Sequence, residues 1–436
     1  STNTETNGFQ LLRDSTVTMK NGTLKASDYE NLKIMIQNYS DLTLLDMELD
    51  AREAPQCQYV ASNNFGDVLI TGDTSIYAAD GQVAFDVYYW PNGGYGDGVS
   101  VTVDTIGTIE GTVEYGSDGS TTGKTDITEK APLVIKSGTI NGTISTYNLD
   151  AESNTGINIT GGSFTSDVSK YVAEGNKLVD DGNGNYSISV DEETAIAEAN
   201  GVGYTSLQAA IDAISGTGEV KLLSDTTEDV IISSGDITLN LNGCTLTNAS
   251  GDTISVKIGA TLTVTGDGTV DNKSNGKAAI FNEGTVILNG GTYDRTSETG
   301  SSADVSGGNS WYTICNHGTM TINEGVTVKN TGSFSSMIEN GYYSYGSGDV
   351  RTGYVEGTNA ANPSLIINNG SFIGGLNTVK NDDGGILEIN GGTYTNTTQA
   401  AILNWNAATI TNGTFECSAA NCVLNGASSA APSANN

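Results

Sequence analysis

Basic residues, proline and long apolar runs are all scarce in this sequence of 436 residues. Its 18 lysines and arginines face 51 aspartates and glutamates, and a net charge of −33 repels the phosphates of nucleic acid and of anionic membranes. No apolar run reaches the length of about 18 residues that a membrane-spanning helix needs. The sequence therefore predicts neither a nucleic-acid partner nor membrane insertion. With 5 prolines it does not resemble a proline-rich linker either.

Cysteine is also rare, and its positions are scattered. The five cysteines are Cys57, Cys244, Cys315, Cys417 and Cys422, and no two of them form the CxxC pair typical of zinc sites. We interpret most of them as small buried residues. Cys417 and Cys422 are close enough in sequence to be bridged, but strand geometry can point them apart, so both alternatives stay open. We predict no metal ion and no other cofactor.

The chain begins at Ser1 with Ser-Thr-Asn in place of methionine, which is typical either of a processed secreted protein whose signal peptide is gone or of a piece excised from a longer chain. A strongly acidic composition favours solubility outside the cell. We therefore expect an extracellular protein, either secreted or attached to a cell surface.

Glycine is abundant, with 56 residues, and it recurs inside a short repeated phrase. In this phrase two alternating apolar residues precede a small polar residue, then glycine, serine or threonine, then another apolar residue. The phrase occupies residues 17–24, 134–140, 157–164, 239–246, 262–270, 286–293, 320–328, 365–372, 387–394 and 408–415. Its matching glycines mostly lie 21 to 25 residues apart. That spacing is typical of one coil of a parallel β-helix.

The alternation turns one face of each short strand inward, and coils must stack because a single coil cannot bury its apolar face. The predicted fold is therefore all-β, a right-handed parallel β-helix in two consecutive units. Residues 1–168 form the first β-helix, and residues 169–192 form a closing hairpin. Residues 193–217 carry a capping helix at Ser206–Ile214, predicted as the only substantial helix. Residues 218–436 form the second β-helix, with inserted loops and a flexible C-terminal tail.

Asparagine occupies equivalent places in three of the coils, at Asn282, Asn316 and Asn404. Stacked asparagines can form a ladder of amide hydrogen bonds along a solenoid, and we predict such a ladder here. A binding site for a polar ligand is the alternative.

A family resemblance is visible between Gly161 and Asn248. The segment GGSFTSDVSKYVAEGNKLVDDGNGNYSI, followed by GYTSLQAAIDAIS and ITLNLNGCTLTN, resembles the repeated unit of large secreted surface proteins of Gram-positive gut bacteria, whose adhesive domains are pectate-lyase-like. The rest of the chain matches only as generic β-helix coils. The resemblance implies a modular surface protein involved in attachment, and it carries no defined ligand-binding residues.

Two fragments suggest enzyme chemistry, but each has a simpler interpretation. Lyases and hydrolases of this fold use clustered carboxylates with basic residues, whereas this chain has four arginines and one histidine. Asp382-Asp383 is interpreted as a turn and His317 as a coil corner. We therefore predict a protein that is not an enzyme.

The spacing of Asp181, Asn183, Asn185 and Glu192 resembles that of a calcium-binding loop. Tyr186 stands where such a loop requires glycine, so we predict a hairpin turn without calcium.

The best binding candidates are aromatic residues in two loops that interrupt the coils. The candidates are Tyr88, Tyr89, Trp90 and Tyr95 in Val87–Gly98, and Tyr342, Tyr343, Tyr345, Arg351 and Tyr354 in Glu339–Gly357. Exposed rings can stack on sugars, although rings that fold back onto the solenoid wall would serve only packing. The second loop is the stronger choice because it contains an arginine.

We expect an adhesion scaffold that recognises a glycan or a protein on a host or neighbouring cell surface. The main alternative is a polysaccharide lyase or glycoside hydrolase of pectate-lyase-like fold. A structural fibre component of a phage or appendage is the second alternative.

Overall fold

The computed structural model describes residues 6–27, 32–151, 155–296, 311–330, 336–342, 354–418 and 421–426. Strands make up 52% of the chain and helices 5%. The prediction of an all-β protein with parallel sheets and few helices is confirmed. The chain divides into two compact units, Ser1–Asp191 and Glu192–Asn436.

In the described part of unit 1 there are eighteen strands and one α-helix. The strands are β1 (Thr6–Leu11), β2 (Thr16–Lys25), β3 (Leu32–Asn38), β4 (Asp41–Asp50), β5 (Tyr59–Asn63), β6 (Gly66–Gly72), β7 (Ser75–Tyr77), β8 (Val83–Tyr89), β9 (Val99–Thr105), β10 (Thr108–Glu110), β11 (Thr112–Ser117), β12 (Leu133–Ile135), β13 (Thr139–Asn141), β14 (Ile144–Tyr147), β15 (Ile157–Ile159), β16 (Ser163–Phe164), β17 (Asn176–Asp180) and β18 (Tyr186–Val190). The helix is α1 (Thr121–Lys130), and a short 3₁₀ turn covers Ser169–Tyr171.

Two sheets organise unit 1. The first is entirely parallel, in the order β1-β3-β5-β8-β11-β14. The second runs β15-β12-β9-β6-β4-β7-β10-β13-β16-β18-β17, with β2 paired to β4. The long strands β2 and β4 bend where Asn21 and Asp46 adopt positive φ, 54° and 53°. The two halves of β4 therefore pair with different partners, β6 and β7.

Helix α1 corrects the prediction that the only substantial helix lies at Ser206–Ile214. Its sequence holds four threonines, one glycine and a single apolar residue, so no helical pattern is visible. The Ser120 hydroxyl caps the helix by accepting from the Gly123 N–H at 3.0 Å. Ile127 is fully buried, and its carbonyl accepts the Tyr115 hydroxyl at 3.1 Å. Tertiary packing therefore forms this helix against its weak intrinsic propensity.

The end of unit 1 is antiparallel. Strands β17 and β18 pair antiparallel, and β18 also pairs antiparallel with β16. The 3₁₀ turn at Ser169–Tyr171 precedes this pair and buries Tyr171. The parallel pairing of unit 1 thus ends on a hairpin, at the place where the sequence pattern changes.

Within its described residues, unit 2 contains twenty-six strands and one α-helix. The strands are β19 (Ala197–Ala199), β20 (Val202–Tyr204), β21 (Thr217–Leu222), β22 (Thr226–Thr227), β23 (Val230–Ile232), β24 (Asp236–Asn240), β25 (Thr245–Thr247), β26 (Ile254–Val256), β27 (Thr261–Thr265), β28 (Thr269–Asp271), β29 (Ile280–Asn282), β30 (Thr285–Leu288), β31 (Thr292–Asp294), β32 (Ile314–Asn316), β33 (Thr319–Ile322), β34 (Thr327–Asn330), β35 (Ile338–Asn340), β36 (Ser364–Ile367), β37 (Ser371–Gly374), β38 (Asn377–Asn381), β39 (Ile386–Ile389), β40 (Thr393–Asn396), β41 (Ala400–Asn404), β42 (Ala407–Ile410), β43 (Thr414–Cys417) and β44 (Asn421–Asn425). The helix is α2 (Leu207–Asp212), capped by the Ser206 side chain.

From β21 onward, consecutive strands of unit 2 belong to the first, second and third of three parallel sheets, and this order then repeats. Each strand therefore pairs with the strand three places later. The sheets run β20-β19-β21-β24-β27-β30-β33-β36-β39-β42, β22-β25-β28-β31-β34-β37-β40-β43 and β23-β26-β29-β32-β35-β38-β41-β44. The antiparallel strands β19 and β20 lie at the start of the first sheet. Helix α2 packs on them with Leu207, Ala210 and Ile211 buried.

The core of unit 2 is built from columns of apolar residues at matching register. One column in the first sheet contains Leu239, Val264, Leu288, Ile322, Ile367 and Ile389. All six side chains are fully buried. Each contributes about 1.5–3 kcal/mol through burial, so every added strand extends the core by a similar amount.

The predicted asparagine ladder is present, and it is longer than the sequence indicated. It contains Asn282, Asn316, Asn340, Asn381, Asn404 and Asn425, each Nδ2 donating to the Oδ1 of the next at 2.7–3.1 Å. The first four side chains are fully buried. Since the amide groups bond to one another and to backbone carbonyls, we interpret them as structural and not as a ligand site.

The five cysteines form one disulfide bridge and three free thiols. A disulfide joins Cys417 to Cys422. Cys57, Cys244 and Cys315 are free and buried. Most of the predicted C-terminal tail, residues 427–436, lies outside the described residues.

Candidate functional site

The predicted loop after β8 divides its aromatic residues between the interior and the surface. Tyr89 is only 2% exposed, with its hydroxyl 3.4 Å from the Gly96 carbonyl oxygen, so it does not belong to a binding surface as predicted. Val87 is also fully buried. Tyr88, Trp90 and Tyr95 are half-buried and remain accessible.

Trp90 and Tyr95 belong to a larger group of rings, which we call the aromatic platform and define as Tyr39, Phe65, Trp90 and Tyr95. The Trp90 and Tyr95 rings stack with centroids 5.2 Å apart and an interplanar angle of 23°. Tyr95 also meets Tyr39 at 5.1 Å and Phe65 at 5.7 Å. All four rings are half-buried, so they are ordered by one another and still offer surface to a ligand.

Polar contacts hold the loop that carries the platform. Arg13 donates from Nη1 to the Gly94 carbonyl at 2.6 Å, and its guanidinium lies 5.9 Å from the Tyr95 ring centroid. Asn92 donates to the Asp118 carboxylate at 2.9 Å. Gly94 adopts φ of 91°, which a residue with a side chain rarely adopts. A basic residue, Arg13, therefore contacts this loop, although it lies 81 residues before Gly94 in the sequence.

A pair of carboxyl groups, Asp86 and Glu114, lies in the first sheet of unit 1. Asp86 on β8 and Glu114 on β11 are register partners on adjacent strands. Asp86 is 4% exposed and accepts from the Ser62 hydroxyl at 3.0 Å and from the Asn63 N–H at 2.6 Å. Burial raises the pKa of Asp86 to about 7, and Glu114 adds to the shift.

Three tyrosines surround this pair, and with Asp86 and Glu114 they form what we call the acidic flank. Tyr59 donates to Glu114 Oε2 at 3.3 Å, and burial followed by the Glu114 charge raises the pKa of Tyr59 to about 12. Tyr88 and Tyr147 are both register partners of Gly116. A Cβ on Gly116 would lie 2.7 Å from the Tyr147 ring, so glycine is what lets this ring lie against the strand.

The structure describes only Tyr342 and Tyr354 of the second predicted aromatic group, and these two rings pack against each other. Tyr343, Tyr345 and Arg351 lie outside the described residues. Tyr342 is fully buried, with its hydroxyl 2.6 Å from the Ala360 carbonyl oxygen, which corrects its assignment to a binding surface. Tyr354 is half-buried, with its ring centroid 5.1 Å from that of Tyr342.

Behind Tyr342, His317 is almost completely buried. Its ring lies 4.7 Å from that of Tyr342 and 5.1 Å from that of Phe281. Burial lowers the pKa of His317 to about 4. The side chain is therefore neutral at physiological pH and packs as part of this cluster.

A buried polar cluster that the sequence did not indicate lies on the outward side of the third sheet of unit 2. Cys315, Glu339 and Lys380 are register partners on β32, β35 and β38, and all three are nearly inaccessible. Lys380 forms an ion pair with buried Asp382 and lies 4.3 Å from the Trp405 ring centroid. Burial, reinforced by Asp382, raises the pKa of Glu339. Asp382 therefore forms a buried ion pair in addition to its predicted place in a turn.

The calcium-like segment after β17 uses its polar groups within the turn. The Asp181 carboxylate accepts from the backbone N–H groups of Asn183 and Asn185, at 2.7 and 3.1 Å, and from the Asn185 side chain at 2.9 Å. These bonds, the Asn185 side chain first, lower the pKa of Asp181. No group of three or more metal-binding side chains occurs within the described residues.

Comparison of the chain with protein-family models, with curated proteins and with solved structures finds no match. In the part of the chain that the structure describes, no helix has both the length and the apolar character needed to cross a membrane.

Proposed function

We propose that this chain is an extracellular adhesion scaffold that binds a glycan through the aromatic platform. The observation that carries this proposal is the group of four half-exposed rings, Tyr39, Phe65, Trp90 and Tyr95, ordered by mutual contacts on the wall of unit 1. Such rings present flat apolar surface to the faces of sugars, with little ordering left to occur on binding. Polar groups that can orient hydroxyls lie next to them.

The scaffold in this proposal is a pair of right-handed parallel β-helices. The strand order of unit 2 supports it, because three parallel sheets visited in turn are what a chain winding through successive coils produces. Connections between parallel strands are nearly always right-handed. In this proposal the scaffold is secreted or attached to a cell surface, and its ligand lies on a host or neighbouring cell, as the resemblance to surface proteins of Gram-positive gut bacteria implies.

The proposal is for binding without turnover. The buried cluster of Glu339, Lys380 and Asp382 combines carboxyl and amino groups, which is the chemistry that a polysaccharide lyase or hydrolase would need. These residues are at most 5% exposed, however, and a polysaccharide must reach the groups that cleave it. Within the described residues the accessible rings, and not this cluster, form the better surface for a glycan.

A glycan array probed with the whole chain and with Trp90→Ala tests the proposal. Loss of the central ring contact is expected to weaken binding to the best glycan about tenfold or more, since a central aromatic contact contributes about 1–3 kcal/mol. Ile106→Ala is the matched control, because Ile106 is an apolar side chain of unit 1 that is 83% exposed. Equal binding by Trp90→Ala, Ile106→Ala and the unmodified chain contradicts the proposal.

A further inference from the structure

The cluster around Lys380 holds one amine and two carboxyl groups in a space that is closed to solvent. Lys380, Glu339 and Asp382 are 5%, 1% and 0% exposed. The ring centroids of Trp405 and Tyr312 lie 4.3 and 6.0 Å from Lys380 Nζ, so aromatic surface adjoins the amine. An external substrate cannot reach these groups. Any reaction among them is therefore confined to the side chains of the cluster.

Within the cluster, the amine of Lys380 meets the carboxyl group of Asp382 directly. Lys380 Nζ forms its ion pair with Asp382 Oδ2. The other oxygen, Oδ1, accepts from the backbone N–H of Asp383 at 2.9 Å. The backbone N–H of Asp382 donates to the Asn340 carbonyl at 2.7 Å, which holds Asp382 against the neighbouring strand. The carboxyl carbon is thus offered to an amine, and a backbone N–H holds the oxygen on which charge develops when an amine adds to it.

Glu339 is the third member of the cluster, and it lies beside the same amine. It is the register partner of Lys380 on the adjacent strand β35, so the two side chains leave the sheet next to each other. Its Oε1 is buried and has no hydrogen-bond partner among the described residues. Burial, reinforced by Asp382, raises the pKa of Glu339. A protonated carboxyl group at this place can pass protons between an amine and a departing oxygen.

The buried position also favours the uncharged forms of the amine and the acid. Two ions removed from water lose hydration that their mutual attraction only partly replaces. Transfer of one proton from Lys380 to Asp382 turns the ion pair into a neutral amine and a carboxylic acid, which are the forms that can condense. Because the fold holds the two groups in contact, their effective concentration is far above that of separate molecules. The amide that condensation produces carries no charge, so it removes the cost of the buried ions.

We propose that Lys380 and Asp382 become joined by an amide bond between Nζ and Cγ, with Glu339 as the proton carrier. The neutral amine adds to Cγ, and the bond from Cγ to Oδ2 breaks. Glu339 gives a proton to the departing hydroxyl group, which leaves as water, and takes one from Nζ. The reaction consumes one amine and one carboxylic acid and yields one amide and one water, with no oxidant and no cofactor.

Intact-mass spectrometry of the whole chain, after reduction of its disulfide, tests the proposal. We expect a mass lower by one water molecule than the sequence requires. In the denatured chain, trypsin should not cleave after Lys380, and an amine-acetylating reagent should leave Lys380 unlabelled. Mild alkali opens a succinimide, which Asp383-Gly384 could form with the same loss of water. It should not restore the missing mass here, because an amide resists this treatment.

A matched pair of lysine variants locates the bond. Lys380→Arg keeps the cation and should show the full sequence mass. Lys329→Arg should keep the loss of water, because Lys329 pairs with Asp294 at 3.4 Å but has a side chain that is 43% exposed. A full mass for the unmodified chain, or a loss of water that persists in Lys380→Arg, overturns the proposal.

Glu339→Gln tests the proton carrier. The loss of water is followed over time after cell-free synthesis, and a retained thermal transition confirms that the variant folds. Glutamine cannot exchange protons in this way, so the loss should be slower by about tenfold or more. An unchanged rate in the folded variant overturns the role of Glu339.

Discussion

Replacing Asn340 by alanine should destabilise unit 2 more than any comparable change on its surface. The Asn340 side chain is fully buried and makes three hydrogen bonds. It accepts from Asn316 Nδ2 at 2.7 Å and donates to Asn381 Oδ1 at 2.8 Å and to the Ile386 carbonyl at 3.0 Å. Alanine removes all three bonds and leaves the partners' polar atoms buried in a space that no side chain fills.

The expected loss is about 3–5 kcal/mol, because each buried group left without a partner costs about 1–3 kcal/mol. Asn368→Ala is the matched control. Asn368 belongs to an exposed row of amides, donating to Asn323 at 2.8 Å and accepting from Asn390 at 3.2 Å. Water can replace both of these bonds, so the control should lose less than about 1 kcal/mol.

Chemical denaturation followed by tryptophan fluorescence measures both changes. In a Trp90→Phe background the emission comes from Trp311 and Trp405 alone, both of which lie in unit 2. The Asn340→Ala midpoint should fall well below that of Asn368→Ala. Equal midpoints for the two variants would refute the view that the buried amide ladder stabilises the stacked strands.

Three further predictions concern single groups. The pKa of Asp86 is raised from 3.8 to about 7, so unit 1 should lose about 4 kcal/mol of stability at most as pH rises between these values; denaturation of Asp86→Asn should lack this dependence. Gly116→Ala places a Cβ 2.7 Å from the Tyr147 ring, and chemical denaturation should detect a stability loss of about 1–2 kcal/mol. Burial raises the pKa of Glu339, so Glu339→Gln should raise the thermal midpoint at about pH 9 and change it little at pH 5.

The features that sequence predicted well are those repeated at short range. Period-2 alternation and glycine spacing predicted parallel strands, and the recurrence of asparagine before a turn predicted the ladder. Asn340 and Asn381 were missed as ladder members because the residues around them, IENGYY and VKNDDG, do not resemble the other coils. Their equivalence appears only in the strand register.

The candidate site was harder to predict because separate coils bring its residues together. Trp90 and Tyr95 were visible as a local aromatic group, whereas Tyr39 and Phe65 join them from earlier coils. A single sequence contains no local signal for such long-range contacts. Glu114 and its neighbours were missed for the same reason, since two strands in register need not share any sequence pattern.

The buried and exposed rings of the loop could not be separated by sequence either. Tyr88, Tyr89 and Trp90 are consecutive aromatic residues, and strand alternation sends only Tyr89 to the core. The uncertain point was where β8 ends, and the structure extends it to Tyr89. A strand boundary moved by one residue would have exchanged the buried and accessible rings.

The most direct test of the account is the fluorescence of Trp90 during titration with the glycan that the array selects. In a Trp311→Phe/Trp405→Phe background Trp90 is the one tryptophan left in the chain. If a sugar stacks on the platform, the emission of Trp90 should change saturably, with the same dissociation constant that calorimetry gives. Binding detected by calorimetry with no change in Trp90 emission would place the glycan elsewhere and contradict the assignment of the aromatic platform as the binding site.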